Sequence, residues 1–464
     1  MRDLAFVGFL AALMLFGLRR PFIFVLGYVY VDIVSPQRLS YYLLNSIPIS
    51  LIFCALAVVG WLVADDKRGT RFGMRQILLL MLLAWAAWTT GHADFPVQAQ
   101  DKWEWVWKAL AFAIFLPLTL RTKLRIESLL LFMILSASSI IIVGGIKTLA
   151  SGGGYGSLNL MVDNNSGLYE GSTISTVAIA IIPLILFLAK FGTIYRADWR
   201  VKTFAYALIF ACLLIPIGTE ARTGLVCIAL LAVLMLRATK RRVLYLMLVG
   251  VAGMAAVPLL PKSFTSRMDT IGEYKADSSA STRLAVWEWT WNYAKDHPLG
   301  GGFNAYIQNK LTIEKVATST DGNTATVATT QEYDQARAYH SSYFEMLGEQ
   351  GFPGLAMWLL LHLLGLVRME TLRRRYLKAE GDYAWIAPLA TALQHGQLIY
   401  LVGSLFVGIA FQPFIFMLIA VQIGFDNYVR RHVRKEEREP FITANPLERT
   451  GAAHRSSGHA LLRR

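Results

Sequence analysis

The chain has 464 residues, 55% hydrophobic and only 16% charged, with a formal net charge of +14. A soluble domain carries about a quarter charged residues, so the composition excludes a soluble globular fold and implies an all-α polytopic membrane protein. The positive surplus could suggest nucleic acid, but in a membrane chain its meaning depends on where the basic residues fall.

The opening run LAFVGFLAALMLFGL ends in RRP rather than in a small-residue cleavage site, so no secretory signal is separable and the first apolar segment reads as retained. Apolar runs follow near 4–18, 21–34, 41–64, 76–91, 105–120, 126–149, 173–190, 203–218, 223–236, 242–260, 353–367, 383–403 and 406–428. A hydrocarbon core of about 30 Å needs roughly 20 helical residues, so these runs predict about 12–13 transmembrane helices. All three cysteines, Cys54, Cys212 and Cys227, lie inside such runs, which indicates neither a disulfide framework nor a cysteine metal site.

Basic residues cluster in alternate connections: 67–75, 121–125, 237–242, 368–378 and 430–435. The positive-inside rule makes these cytoplasmic and puts the large loop 262–342 on the periplasmic side. That loop holds eight Lys or Arg against nine Asp or Glu, so it is nearly neutral and an arginine there is a specific choice. The expected organisation is an N-terminal transmembrane region (1–170), a central one (171–261), the periplasmic loop (262–342), a C-terminal transmembrane region (343–435) and a disordered cytoplasmic tail (436–464). The charge is thus topology, and nucleic acid is not an expected partner.

Three stretches carry ionisable residues at or near the outer membrane surface, where they are costly and informative. The turn GTEARTG (218–224) presents Glu220 and Arg222, which could simply pair with each other. The stretch 278–302 reads as a helix capped by Ser281, with Arg283 in its first turn and Trp287 and Trp291 on one face. A cation there opposes the helix dipole and anticipates an anion, although an interfacial aromatic helix explains the same pattern. His297, ahead of Pro298 and a glycine run, reads as a turn residue. In YHSSYFEMLGEQGFPG (339–354), Ser342 and Glu345 have capping-box spacing, Gly351 ends the short helix and Pro353 suits the first turn of the next. His340 then sits just outside a helix N-terminus, which favours a neutral imidazole able to accept a proton, as a general base must. A lone histidine is also compatible with a purely structural role.

The order His340, Ser341, nine residues, Gly351, two residues, Gly354 resembles the histidine-glycine pattern of the O-antigen ligase and bacterial O-oligosaccharyltransferase superfamily, whose members carry a large periplasmic loop before their last spans. TEARTG and STRLAVWEWTWNYAKDHPLGGGFNAY resemble that superfamily's two arginine segments, and the likeness covers most of 170–430. Residues 1–170 resemble, more narrowly, O-glycosylation ligases associated with exosortase systems. The resemblance implies an inner-membrane enzyme with its active site facing the periplasm. It would transfer a glycan from an undecaprenyl-pyrophosphate donor to a hydroxyl acceptor such as lipid A-core or a protein Ser or Thr.

Guanidinium forks suit a pyrophosphate leaving group, so Arg222 and Arg283, with Arg337 as a weaker third, are the candidate pyrophosphate ligands, and His340 is the candidate base. Paired carboxylates on the outer face would suggest a metal. The adjacent acidic pair, Asp65 and Asp66, falls on the cytoplasmic side, so no metal or other cofactor is expected. With His340 taking the proton of the attacking acceptor hydroxyl, the transfer that the resemblance implies should invert the anomeric centre. A polymerase of O-antigen or exopolysaccharide is the alternative. A lipid-linked sugar transporter is less favoured, since it would need charges midway along its spans and two related halves.

Overall fold

The computed structural model describes residues 1–67, 72–155, 158, 167–237, 241, 247, 278–321 and 324–438. It is an all-α membrane bundle. Its helices are α1 (Arg2–Arg19), α2 (Phe22–Val34), α3 (Pro36–Leu39), α4 (Ile49–Ala64), α5 (Met74–Gly91), α6 (Pro96–Thr119), α7 (Lys123–Ser151), α8 (Gly171–Phe191), α9 (Trp199–Gly218), α10 (Arg222–Leu236), α11 (Ser278–Asp296), α12 (Ser342–Arg375), α13 (Ile386–Gly403) and α14 (Pro413–Arg438). Among the described residues four helices, α7, α8, α9 and α12, are long and apolar enough to cross a membrane, and α2, α4 and α10 are shorter apolar helices. Each expected span in the described residues falls on a helix, while 242–260 lies outside them.

Two spans begin later than their apolar runs. Residues 41–47 do not join α4 because the Asp3 carboxylate accepts the N–H groups of Tyr41 (3.1 Å) and Tyr42 (3.0 Å), giving this backbone a non-helical partner. The second late start is at Pro413, with 404–412 serving as a folded return. Its N–H groups are taken by side chains of α12: Ile409 by Ser342 Oγ (2.9 Å) and Ala410 by a Glu345 oxygen (3.0 Å). Buried backbone donors must find such partners.

The loop also holds a strand pair that the sequence reading did not assign. β1 (Lys310–Asp321) and β2 (Thr324–Gln335) form an antiparallel hairpin in register from Lys310↔Gln335 to Asp321↔Thr324. The signal was present as Thr- and Val-rich runs on either side of an Asp-Gly-Asn sequence.

The helix at the centre is α8, which packs on α13, α9, α10 and α7 and is buried along nearly its whole length. The two ends of the bundle differ. At one end Arg125 forks onto Asp65 (2.6 Å to each oxygen), Arg368 bonds Asp426 (2.8 Å) and Arg237 reaches Glu370 (2.9 Å), so the basic clusters gather there with carboxylate partners. From that end a polar chain runs inward. Arg75 bonds Gln422 (3.0 Å), Gln422 bonds Gln397 (2.8 Å) and Gln397 bonds His362 (2.9 Å). The sequence reading confined ionisable groups to the surfaces, and Arg75 and His362, both buried, correct it. Amide side chains make this tolerable, since each supplies donors and acceptors where water is absent.

Candidate active site

The opposite end gathers the sequence-predicted residues. α11 is held against α12 by a small cluster of Val286, Leu311 and Tyr339, with Trp287, Tyr306 and Phe344 packed around it. Trp287 donates its indole N–H to Tyr339 O (2.8 Å) and stacks on Phe344 with ring centroids 5.1 Å apart. Arg283 lies four residues before Trp287, one turn along the same helix face, and Tyr339 precedes His340. The docking therefore brings Arg283 toward the histidine. α11 already runs from Ser278, so Ser281 lies inside the helix rather than at its cap, and Arg283 sits in the second turn. The interfacial-helix reading is also revised, because Val286, Thr290, Tyr293 and Ala294 are buried against protein, with Trp291 left exposed.

His340 has φ 47°, a left-handed conformation that costs a non-glycine residue roughly 1 kcal/mol or more. Such strain collects at functional positions. Of five non-glycine residues with positive φ among the described residues, Glu220, Asn304, Ala336 and His340 all lie in segments flanking this end. The next residue, Ser341, is the N-cap of α12, so the histidine stands just outside a helix N-terminus as expected. The capping box does not form. Ser341 makes no side-chain cap, Ser342 Oγ instead donates to Val407 O (2.9 Å), and Glu345 is engaged elsewhere.

The His340 side chain is open to solvent, yet the protein behind it removes enough water to lower its pKa from the ordinary value. Arg283 and Arg337 lower it further, while the Glu170 carboxylate opposes them. His340, Arg283, Arg337 and Glu170 thus share one electrostatic neighbourhood, and the imidazole is held in its neutral, proton-accepting form at neutral pH. Arg337 pairs through Nε with Asp334, which competes with any anion for its fork. Asn309 fixes the Arg337 backbone by accepting its N–H (3.0 Å) and donating to its carbonyl (2.7 Å).

Arg222 reaches this end by another route, as the first residue of α10. The preceding turn is held to α8 by Ser175 and Thr219, whose hydroxyls are 3.0 Å apart. Glu170 caps α8, accepting the N–H groups of Ser172 (3.0 Å) and Thr173 (2.7 Å). One turn on, Thr176 touches the α13 terminus, where a Cβ on Gly403 would lie 2.4 Å from Thr176 Cγ2. The following Ser404 O accepts the Ser342 N–H (2.8 Å). The arginine turn and the histidine turn are therefore neighbours around the α8 and α13 ends.

Gly351 is non-helical (φ 65°, ψ −170°) and breaks α12 where the sequence predicts, with Pro353 opening the longer half. The break is a docking site. Phe352 N donates to Pro298 O (3.0 Å), Gly301 N to Gly348 O and Gly302 N to Glu349 O (both 3.0 Å). A Cβ on Gly300 would lie 2.5 Å from Gly351 N, so two backbones meet where only glycine fits. His297 shapes this loop as expected, its carbonyl accepting the Gly300 N–H (2.9 Å) and its ring stacking on Tyr293.

One constellation was missed from sequence. The Lys102 ammonium on α6 lies 2.7 Å from Glu345 and 2.7 Å from Glu349 on α12. A carboxylate pair does stand at this end, contrary to the sequence reading, with a protein cation between its members. Two glutamates four residues apart ahead of an apolar span, with no basic residue on that short helix, were the available signal.

Residues 206–359 match the family described as O-Antigen ligase, and residues 1–193 match a family of unknown function (DUF5935). No curated protein matches the chain. Arg222, Arg283, Arg337 and His340 fall in the first region, Lys102 and Glu170 in the second. The chain is thus a membrane protein with an O-antigen ligase family region, and that region suggests a ligase or glycosyltransferase role.

Proposed function

We propose that this O-antigen ligase family region makes the chain an inverting, metal-independent glycosyltransferase. It moves a glycan from undecaprenyl-pyrophosphate to a hydroxyl acceptor, lipid A-core or a protein Ser or Thr, at the periplasmic face of the bacterial inner membrane. The observation that carries the reading is His340, held at positive φ ahead of the α12 N-terminus and kept neutral by burial first and then by Arg283 and Arg337. His340 takes the proton from the acceptor hydroxyl as its oxygen attacks the anomeric carbon. The bond from that carbon to the pyrophosphate oxygen breaks, and undecaprenyl pyrophosphate leaves from the opposite face, which inverts the centre.

Arg222 and Arg283 bind the pyrophosphate oxygens as charge develops on them, the part a divalent cation plays in other transferases. Arg337, shared with Asp334, contributes less. The gathering of paired arginines at the far end of the bundle supports a cytoplasmic placement for that end and a periplasmic one for the site. The likeness of residues 1–170 to O-glycosylation ligases associated with exosortase systems favours a ligase over a polymerase.

The test is transfer by purified protein from an undecaprenyl-pyrophosphate glycan, with lipid A-core, a Ser/Thr peptide and free repeat unit offered separately. Product with either of the first two supports a ligase, product only with repeat units makes it a polymerase, and no product with any acceptor overturns the proposal.

A further inference from the structure

The corner between α5 and α6 belongs to the region that matches a family of unknown function, yet Asp94 in it and Lys102 just beyond make their side-chain contacts outside that region. Asp94, exposed in the corner, accepts from Tyr293 OH on α11 (2.5 Å) and from Gln308 Nε2 (2.6 Å), and its N–H donates to Gly301 O (2.9 Å). Gln98 O accepts from Asn304 Nδ2 (2.7 Å). Two turns into α6, Lys102 joins Glu345 and Glu349, which stand one and two turns after the Ser341 N-cap. The backbone N–H of Ala410 secures Glu345 and that of Asn304 secures Glu349, each at 3.0 Å. The rings of Phe303 and Phe411 flank the ammonium with centroids 5.3 and 5.8 Å away.

We infer that the α5–α6 corner is a positioning clamp for transfer: Asp94 sets α11 and with it Arg283, while Lys102 sets the first turns of α12 and with them His340. Asp94 and Lys102 are thus positioning residues, and the region of unknown function is part of the transferring body. The inference rests on the roles proposed above for His340 and Arg283. A buried ion cluster is weak evidence for stability, because apolar packing of the same volume holds helices as well. What it supplies is a defined geometry, since a single ammonium satisfies both carboxylates in one arrangement. Reacting groups displaced by about 1 Å can lose on the order of 10²-fold in rate.

The two arms of the clamp serve different groups, so they separate kinetically. In Asp94→Ala, an exposed change, the Kd for the pyrophosphate carrier should rise on the order of 10-fold and kcat should fall with it, because the displaced group is Arg283, which touches the carrier both before and during bond breaking. In the triple variant Lys102→Met, Glu345→Gln, Glu349→Gln no lone buried charge remains. Its thermal melting should stay near wild type while kcat falls on the order of 10²-fold and carrier Kd is unchanged. Should the triple variant fail to fold, Lys102→Arg, which keeps the charge but alters its reach, should give a smaller loss confined to kcat.

An unchanged carrier Kd in Asp94→Ala, a weakened carrier Kd in the Lys102 arm, or wild-type values in both arms overturn the clamp. His340→Ala measured beside them separates the two claims. Wild-type transfer by that variant removes the proposed function, whereas its loss together with wild-type Asp94 and Lys102 variants removes only the clamp.

Discussion

The two ends of the bundle use the same residue types for different ends. At the basic end, arginines face carboxylates: Arg368 and Arg430 share Asp426, and Arg237, Arg373 and Arg374 converge on Glu370. At the other end Arg283 and Arg337 act on a histidine whose protonated form they oppose. Attractive pairs hold the basic end in place, and the site end has such pairs too, Arg337 with Asp334 and Lys102 with two glutamates, but only there do guanidinium groups also disfavour charge on a neighbouring imidazole. The meaning of a basic residue in this chain therefore comes from the charges it faces rather than from its distance to the membrane.

That comparison is sharpest at His340. Replacement by Ala should lower turnover on the order of 10²–10⁴-fold, the usual worth of a positioned proton acceptor, with carrier binding kept. Single-turnover transfer and carrier binding on one folded preparation measure both. Arg222→Ala and Arg283→Ala should each lower turnover about 10²–10³-fold, the scale of one lost transition-state donor. They should also weaken carrier binding, which His340→Ala should not. Lysine at either position keeps the charge but loses the fork, so recovery should be partial. Arg374→Ala, an exposed change at the basic end, should leave both quantities within experimental scatter, and a loss comparable to that of the site arginines would erase the distinction between the ends. Orientation is checked separately. A cysteine replacing Glu288 should react with an impermeant thiol reagent in intact spheroplasts, and one replacing Leu377 only after permeabilisation.

Much of this was legible in local pattern. Apolar run length located the helices, the glycine and proline of 351–354 marked the break in α12, and Arg283 and His340 stood out in otherwise neutral or apolar surroundings. Interactions between distant segments were not legible. Glu345 has the spacing of a cap partner, and only Lys102, 243 residues away, gives it a different one. Gln397 and Gln422 look like ordinary polar residues of their helices until the fold joins them to Arg75 and His362. The β1–β2 hairpin was readable from its Thr and Val runs but was hidden by treating a long polar stretch as loop.

The central claim is that a histidine kept neutral by its neighbours accepts the proton, and the pH–rate profile of transfer tests it most directly. The rate should be level where His340 is neutral and fall on the acid side, with a midpoint below the ordinary histidine value of about 6.5, because burial and then Arg283 lower this pKa. Arg283→Ala removes a like charge, raises the pKa and should move the acid limb to higher pH. Glu170→Gln removes the opposing carboxylate, keeps an oxygen for the α8 cap, and should move the limb to lower pH. Opposite shifts in the two variants are the predicted result, and an acid limb that neither variant moves, or that both move the same way, would contradict the account.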